Sequence, residues 1–213
     1  MIYPIKELLK KRKNDEAIFL GCGPSINDMD LSVLENKDIW ANNNFILHKS
    51  ITPHFYHLEL KEHRNGPTFR KLIENKREEY GKTNWILNRS RPYLLKSVNP
   101  NWFENIYMYQ GVPVYCLASI SIILQIMAKM GYKKIYFNGV DLYDSKYFWT
   151  DDLSYDVPSI MNSCKPDERK AESLHPTQER NIAEWISSFL SEAKIEGVNL
   201  SPKSVLAKHM RTE

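Results

Sequence analysis

A glycine-rich turn is the first segment of the chain whose residue types could bind a ligand. It follows the apolar run 17–20 and reads Gly21, Cys22, Gly23, Pro24 and Ser25. Glycines directly after a buried strand let the backbone turn sharply and approach a ligand closely, and main-chain N–H groups in such a turn can hold a phosphate or a ribose. The spacing matches neither a Walker loop nor a complete dinucleotide fingerprint. An ordinary strand-to-helix turn capped by Ser25 therefore stays equally open.

A run of asparagines closes the predicted strand 38–42 and comprises Asn42, Asn43 and Asn44. An asparagine side chain carries both a donor and an acceptor, which suits recognition of a base or a ribose edge. Asparagine is also common in turns. Taken alone, the run is more typical of a turn than of a nucleotide-binding segment.

Two tyrosines follow the predicted strand 133–141, which ends in Gly139 and Asp141. The phenols of Tyr143 and Tyr147 could donate hydrogen bonds to a leaving phosphate just beyond the end of that strand. The alternative is that both rings are partly buried and their hydroxyls are satisfied within the protein.

His175 directly precedes Pro176. Proline favours the first position of a helix and keeps the residue before it extended. The positive end of the helix would disfavour an imidazolium, so that the neutral ring could accept a proton. A structural or merely exposed histidine is the alternative.

The remaining histidines and the three cysteines show no metal-ligand spacing, so the sequence predicts no metal site. No nucleophile elbow is present. A few widely spaced cysteines are typical of a reduced, cytoplasmic protein. No apolar run is long enough for a signal peptide or a membrane span.

Apolar segments with strand and helix periodicity alternate along the chain. Strands are predicted at 17–20, 38–42, 54–59, 85–87, 106–109, 133–141 and 198–200, and helices at 115–130 and 176–193. This alternation predicts an α/β fold, a Rossmann-like domain with a mostly parallel sheet flanked by helices. Ligands bind beyond the carboxyl ends of such strands, and the motifs described above fall at those ends.

The 213 residues suffice for a single domain, 1–213. Residues 144–174 lack periodicity and are predicted to form a lid. A net charge of +3 is too small to indicate a nucleic-acid partner. The basic run 10–13 follows an apolar helix face, which either packs on the domain or contacts the inner face of a membrane. An aromatic surface around Tyr107, Tyr109 and Tyr115 would permit a homo-oligomer.

In their order along the chain, these pieces resemble the bacterial sialyltransferases of glycosyltransferase family 42. The resemblance is carried by the turn 21–25, Asn43, Asn44 and Phe45, Ala118 and Ser119, the segment 131–136, the segment 139–143, His175 and the segment 200–207. Cys22 stands where family members usually carry asparagine, and the segment 111–115 lacks an expected arginine.

The resemblance implies inverting transfer of a sugar from a CMP-sugar donor to a glycan hydroxyl. No metal would be required, although a divalent cation could stimulate the reaction. His175 would be the general base, Tyr143 would hydrogen-bond the departing phosphate, and Tyr147 would be a second phenol. The donor site would be lined by Gly21, Cys22, Gly23, Pro24, Ser25, Asn43, Ser119, Gly139 and Asp141.

Sialic acid and a related ulosonate such as Kdo are both open as the transferred sugar. Two other functions also fit the residues. One is a pterin diphosphokinase-like transferase that uses ATP and Mg²⁺, with carboxylates from Asp141, Asp144, Asp151 and Asp152. The other is a non-catalytic nucleotide-binding subunit of a polysaccharide assembly.

Overall fold

The apolar segments of the sequence assemble into one parallel sheet in a computed structural model of the chain. The structure describes residues 1–59, 62–91, 93–112, 119–142, 147–150 and 181–213, with the backbone alone for 62–68 and 97. The strands are β1 Ile2–Pro4, β2 Glu16–Leu20, β3 Asp38–Asn42, β4 Phe55–Leu58, β5 Asn84–Asn88, β6 Asn105–Tyr109, β7 Lys134–Asn138, β8 Glu196–Asn199 and β9 Arg211–Thr212.

Five helices accompany the sheet in the described part of the chain: α1 Ile5–Leu8, α2 Glu62–Asn75, α3 Leu94–Ser97, α4 Ile120–Met130 and α5 Ile182–Glu192. Short 3₁₀ turns span Pro24–Asp28, Leu31–Leu34, Asn43–Leu47 and Val205–Lys208. Gly131 ends α4 in the left-handed conformation, at φ 79°. A residue without a Cβ adopts this conformation with little strain.

The order of the strands creates a crevice next to β2. The sheet runs β1-β6-β5-β4-β3-β2-β7-β8-β9, and every neighbouring pair is parallel. From β2 the chain builds the sheet outward through β3, β4, β5 and β6, and it then returns to the other side of β2 as β7. Such a reversal opens a crevice at the carboxyl ends of the two central strands, where α/β proteins bind ligands.

Alternating strand residues face two separate apolar cores. Ala17 and Phe19 of β2 pack on the side covered by α4 and α5, while Ile18 and Leu20 pack on the side covered by α2 and α3. A parallel sheet that is covered on both faces needs apolar residues at nearly every strand position. The strands are therefore visible in the sequence as apolar runs without alternation.

The α/β fold, the parallel sheet and its flanking helices are confirmed. Sequence reasoning missed β1, α2, α3 and β9. The predicted lid lies outside the described residues except for 147–150, and the part of the predicted helix that precedes α5 also lies outside them. In the described part of the chain, no helix has both the length and the apolarity that a membrane span requires.

The prediction of an aromatic surface around Tyr107, Tyr109 and Tyr115 is wrong for the first two residues, and Tyr115 lies outside the described residues. Both side chains are buried, with about 1% of their surface exposed, and the ring of Tyr3 stacks on Tyr107 at a centroid distance of 5.5 Å. The reason is that β6 is not an edge strand. It lies between β5 and the N-terminal strand β1, which the sequence did not reveal.

Candidate functional site

The glycine-rich turn lies in the crevice between β2 and β7. The Gly21 N–H donates to the carbonyl of Asn138 at 2.8 Å, and the Gly23 N–H donates to the carbonyl of Gly139 at 2.7 Å. A Cβ on Gly21 would lie 2.2 Å from the Gly139 carbonyl oxygen. Side chains cannot be accommodated at that distance, so glycine is required for the two segments to meet.

Asp141 fixes the turn from the other side of the crevice. Its Oδ2 accepts the Ser25 N–H at 2.9 Å, and its Oδ1 lies 2.5 Å from the Ser25 hydroxyl oxygen. The same hydroxyl accepts the Gly139 N–H at 3.0 Å. The Ser25 side chain therefore bonds back to the segment after β7 and does not cap the 3₁₀ turn Pro24–Asp28 that contains it. The carboxylate of Asp141 positions the turn.

Cys22 lies at the junction of the turn and the asparagine run. Its Sγ is 3.9 Å from the carbonyl oxygen of Asn42, and burial raises the pKa of the thiol to about 12. The side chain is thus a neutral thiol at physiological pH. It forms part of the wall of the site.

The segment 147–150 packs on the same turn. The Phe148 N–H donates to the carbonyl of Cys22 at 3.0 Å, which places Tyr147 beside the turn, with its ring stacked on Trp149 at 4.4 Å. Tyr143 and His175 lie outside the described residues. Their roles stay predictions.

Asn43 and Ser119, predicted to share a site, are in contact. Asn43 has a left-handed backbone, at φ 46°, and its Nδ2 donates to the Ser119 hydroxyl at 3.3 Å. Its Oδ1 accepts the Glu59 N–H at 2.9 Å. The Tyr56 hydroxyl donates to the main-chain carbonyl of Asn43. Bonds to three residues, Tyr56, Glu59 and Ser119, thus hold this uncommon conformation.

Glu59 and Arg91 complete this polar cluster and were not singled out in the sequence. The Ser119 hydroxyl donates to Glu59 Oε2 at 2.9 Å, and Arg91 Nη2 lies 3.2 Å from Glu59 Oε1. Arg91 Nη1 also donates to the main-chain carbonyl of Glu59 at 3.0 Å. Glu59 directly follows β4 and Arg91 lies three residues beyond β5. Position at the end of the predicted strand 54–59 and shortly after the predicted strand 85–87 was therefore the signal that could have found them.

A buried histidine lies below this cluster. His57 Nε2 is 2.9 Å from the Tyr109 hydroxyl oxygen. Burial, aided by the charge of Arg91, lowers the pKa of His57 to about 3, so the ring is neutral. Among the described residues, neither His57 Nδ1 nor Asn44 Oδ1 has a hydrogen-bond partner, although both atoms are buried. Buried polar atoms are rarely left unpaired, but Tyr80, Trp85 and Tyr107 also have such atoms among the described residues, so these atoms alone do not locate a binding surface.

The described site thus offers a narrow backbone turn and a polar surface made of amide, hydroxyl, carboxylate and guanidinium groups. These groups can orient a polar ligand that carries a phosphate and a sugar. Within the described residues, no group of three or more His, Cys, Asp and Glu side chains could hold a metal ion. Apart from Tyr109 at the end of β6 and the segment 147–150, the described site residues lie at the carboxyl ends of β2, β3, β4, β5 and β7 or at the start of α4.

Solved structures of sialyltransferases share this fold. The sialyltransferase CST-II in complex with a trisaccharide acceptor and CMP matches with a TM-score of 0.58 and 16% identity, over 92% of this chain and 85% of that chain. The sialyltransferase CstII from Campylobacter jejuni in complex with the substrate analogue CMP-3FNeuAc matches with a TM-score of 0.55 and 15% identity, over 92% of this chain and 86% of that chain.

A variant of CST-II in complex with CMP matches with a TM-score of 0.60 and 15% identity, over 92% of this chain and 85% of that chain. No protein-family model matches the chain, and no curated protein sequence matches it. At this level of identity, the likeness shows a common fold.

Proposed function

We propose that this protein is an inverting glycosyltransferase that moves sialic acid, or a related ulosonate such as Kdo, from a CMP-sugar to a glycan hydroxyl. The observation that carries the proposal is the convergence of the turn 21–25, Asn43 and Ser119 beside one crevice. This convergence occurs in a fold that 92% of the chain shares with a sialyltransferase bound to CMP.

The chemistry requires few groups from the protein. CMP is a good leaving group and the anomeric carbon of a ketosugar is tertiary, so the transition state resembles an oxocarbenium ion. The protein must then supply a base for the acceptor, donors for the departing phosphate and a cover that excludes water. His175 is the proposed base, Tyr143 and Tyr147 are the proposed phosphate donors, and residues 144–174 are the proposed cover.

The proposed transfer does not require a metal, because the phenols and main-chain donors stabilise the leaving phosphate. A divalent cation could still stimulate it. The proposal includes a cytoplasmic location. Leu8 of α1 is buried, and Ile5 and Leu9 pack against the same core, so the apolar helix face before the basic run 10–13 packs on the domain.

The test is release of CMP from CMP-sialic acid and from CMP-Kdo in EDTA, with a glycan acceptor. We expect metal-independent release by the wild type and a loss of about a hundredfold or more in His175→Ala, with CMP binding retained. His209→Ala is the matched control, because His209 directly follows the 3₁₀ turn Val205–Lys208 near the C-terminus and is not one of the proposed site residues. It should keep full activity.

Other outcomes would favour the alternatives. Transfer that requires ATP and Mg²⁺ would indicate a diphosphokinase-like enzyme. Of the four carboxylates predicted for that alternative, Asp141 is the one described, and both of its carboxylate oxygens contact Ser25. Binding of CMP without turnover of either donor would indicate a non-catalytic subunit.

A further inference from the structure

The carboxylate of Glu59 contacts the side chains of Ser119 and Arg91, and the side chain of Asn43 contacts Ser119 in turn. We call Asn43, Ser119 and Arg91 the donor cluster. Ser119 Oγ and Arg91 Nη2 contact the two carboxylate oxygens directly, at 2.9 and 3.2 Å. Asn43 Nδ2 donates to Ser119 Oγ at 3.3 Å and so fixes the orientation of that hydroxyl. The Glu59 side chain is only 14% exposed. The carboxylate is therefore substantially enclosed by donors.

The donor cluster has the chemistry of a carboxylate-binding site. A guanidinium and a hydroxyl are strong partners for a carboxylate oxygen. Ser119 is also the residue that precedes the first turn of α4, an 11-residue helix, and the positive end of a helix favours an anion. The guanidinium of Arg91 is charged under all ordinary conditions, so the donor cluster can balance one negative charge.

The donor cluster lies within reach of a ligand bound at the glycine-rich turn. Glu59 follows β4, and the turn follows β2. Only β3 separates these two strands in the sheet, so they are about 10 Å apart. Asn43 follows β3 and lies between them. A nucleotide phosphate at the turn would thus place the attached sugar near the donor cluster.

We propose that the donor cluster recognises the carboxylate of an acidic sugar. In the absence of substrate the carboxylate of Glu59 occupies this position, and the CMP-sugar must displace it in order to bind. The inference rests on the proposed function, because it assumes a donor that is an acidic sugar linked to CMP. Two carboxylates cannot share one guanidinium without repulsion. Glu59 thereby weakens binding of acidic donors relative to binding of CMP.

Two substitutions should act in opposite directions. Glu59→Gln keeps the shape of the side chain and a hydrogen bond to Ser119 but removes the competing charge, so an acidic donor should bind more tightly. Arg91→Gln removes the only cation of the donor cluster and leaves Glu59 as an unbalanced anion, so the same donor should bind more weakly. A salt bridge with a purely structural role would lower stability in both variants and would leave the preference for an acidic ligand unchanged.

The experiment measures dissociation constants for CMP and for CMP-3FNeuAc by calorimetry in EDTA. The ratio of the two constants reports the contribution of the sugar and its carboxylate. We expect this ratio to shift about tenfold or more toward the acidic ligand in Glu59→Gln and by a similar factor away from it in Arg91→Gln. Glu196→Gln is the matched control, since Glu196 pairs with Lys134 and Arg211 at the opposite edge of the sheet, and its ratio should equal that of the wild type.

An unchanged ratio in Glu59→Gln, or shifts of the same sign in both variants, would overturn the inference. Failure of the wild type to bind CMP would instead refute the proposed function. The proteins would then be titrated with N-acetylneuraminic acid and its neutral methyl ester. A stronger preference for the acid in Glu59→Gln than in the wild type would uphold the donor cluster as a carboxylate site, and an equal preference would refute it.

Discussion

The imidazole of His57 is buried at the carboxyl end of β4, with its Nε2 2.9 Å from the hydroxyl oxygen of Tyr109. Burial opposes protonation, and the charge of Arg91 opposes it further, so the pKa falls to about 3 from an ordinary value of 6.5. The folded protein therefore takes up a proton on this ring far less readily than the unfolded chain does. This difference links the ring to the stability of the protein.

The pH dependence of stability follows from this difference. The contribution of His57 is fully present above about pH 6.5 and is lost as the pH falls from there toward 3, because only the unfolded chain binds the proton in that range. Between pH 7 and pH 5 the free energy of unfolding of the wild type should fall by about 2 kcal/mol more than that of His57→Gln. Urea unfolding at the two pH values measures both changes.

The comparison isolates His57, because His48 and His54, whose pKa values burial also lowers, are present in both proteins. A glutamine side chain retains a hydrogen-bonding group for the Tyr109 hydroxyl. Equal losses of stability in the two proteins would show that His57 titrates normally in the folded state.

At the scale of elements, the turn after β2 and the segment after β7 form a single unit. The bonds from Asp141 to Ser25 and from Gly139 to Gly23 join residues that are 116 positions apart along the chain. Leu142, directly after Asp141, has a left-handed backbone at φ 59°. Such a conformation is uncommon for leucine and is found where surrounding contacts enforce it. The shape of the crevice therefore depends on the fit between these two segments.

Gly23→Ala tests that fit. A Cβ at position 23 would lie 2.3 Å from Asp141 Oδ2, so the carboxylate must move and its bonds to Ser25 must lengthen. We expect a loss of about 1–3 kcal/mol in the free energy of unfolding and a fall of about a hundredfold in the rate of CMP release. Thermal unfolding and the release assay measure the two effects.

Gly81→Ala is the control for this prediction. A Cβ there would be 3.4 Å from its nearest neighbours, the carbonyl oxygens of Arg77 and Glu78, and the stability should change by less than about 1 kcal/mol. Full activity in Gly23→Ala would show that the turn tolerates displacement of Asp141 and does not shape the donor site.

At the scale of the whole molecule, the carboxyl and amino ends of the strands have different roles. The candidate site occupies the carboxyl ends of the strands, whereas a buried hydrogen-bond network lies at the amino end of β3. There the Tyr132 hydroxyl donates to Asp38 Oδ2 at 2.7 Å and accepts from Trp40 Nε1 at 3.2 Å. The side chains of Asp38 and Trp40 are fully buried. This network stabilises the sheet at a distance from the candidate site.

Tyr132→Phe should therefore reduce stability without affecting the site. The substitution leaves a buried carboxylate oxygen and a buried indole N–H without this partner, which costs about 1–3 kcal/mol. The dissociation constant for CMP should stay within about twofold of the wild-type value, because sites far apart act independently. Chemical unfolding and calorimetry together check the prediction.

Tyr136→Phe provides the comparison, because Tyr136 is only half-buried and the ammonium groups of Lys37 and Lys134 each lie 4.7 Å from its ring centroid. Its ring is retained in phenylalanine, so the change in stability should be less than about 1 kcal/mol. Weaker CMP binding in Tyr132→Phe but not in Tyr136→Phe would mean that the network at the amino end of β3 is coupled to the candidate site at the carboxyl ends of the strands.

The sequence alone determined the α/β class, most of the central strands and the glycine-rich turn. Fully buried parallel strands need apolar residues on both faces, so they are apparent as continuous apolar runs. α2 was missed because Gly66 and Pro67 interrupt its helical pattern. Only tertiary contacts compensate for residues of this kind.

Only the tertiary structure decided which side chains meet at the carboxyl edge. Glu59 contacts Arg91 and Ser119, which are 32 and 60 residues away along the chain, and Asp141 contacts Ser25 across β7 and β2. These contacts depend on the order of the strands in the sheet. Local periodicity specifies that a segment is a strand and which residues are buried, but it contains no information on which strand lies beside it.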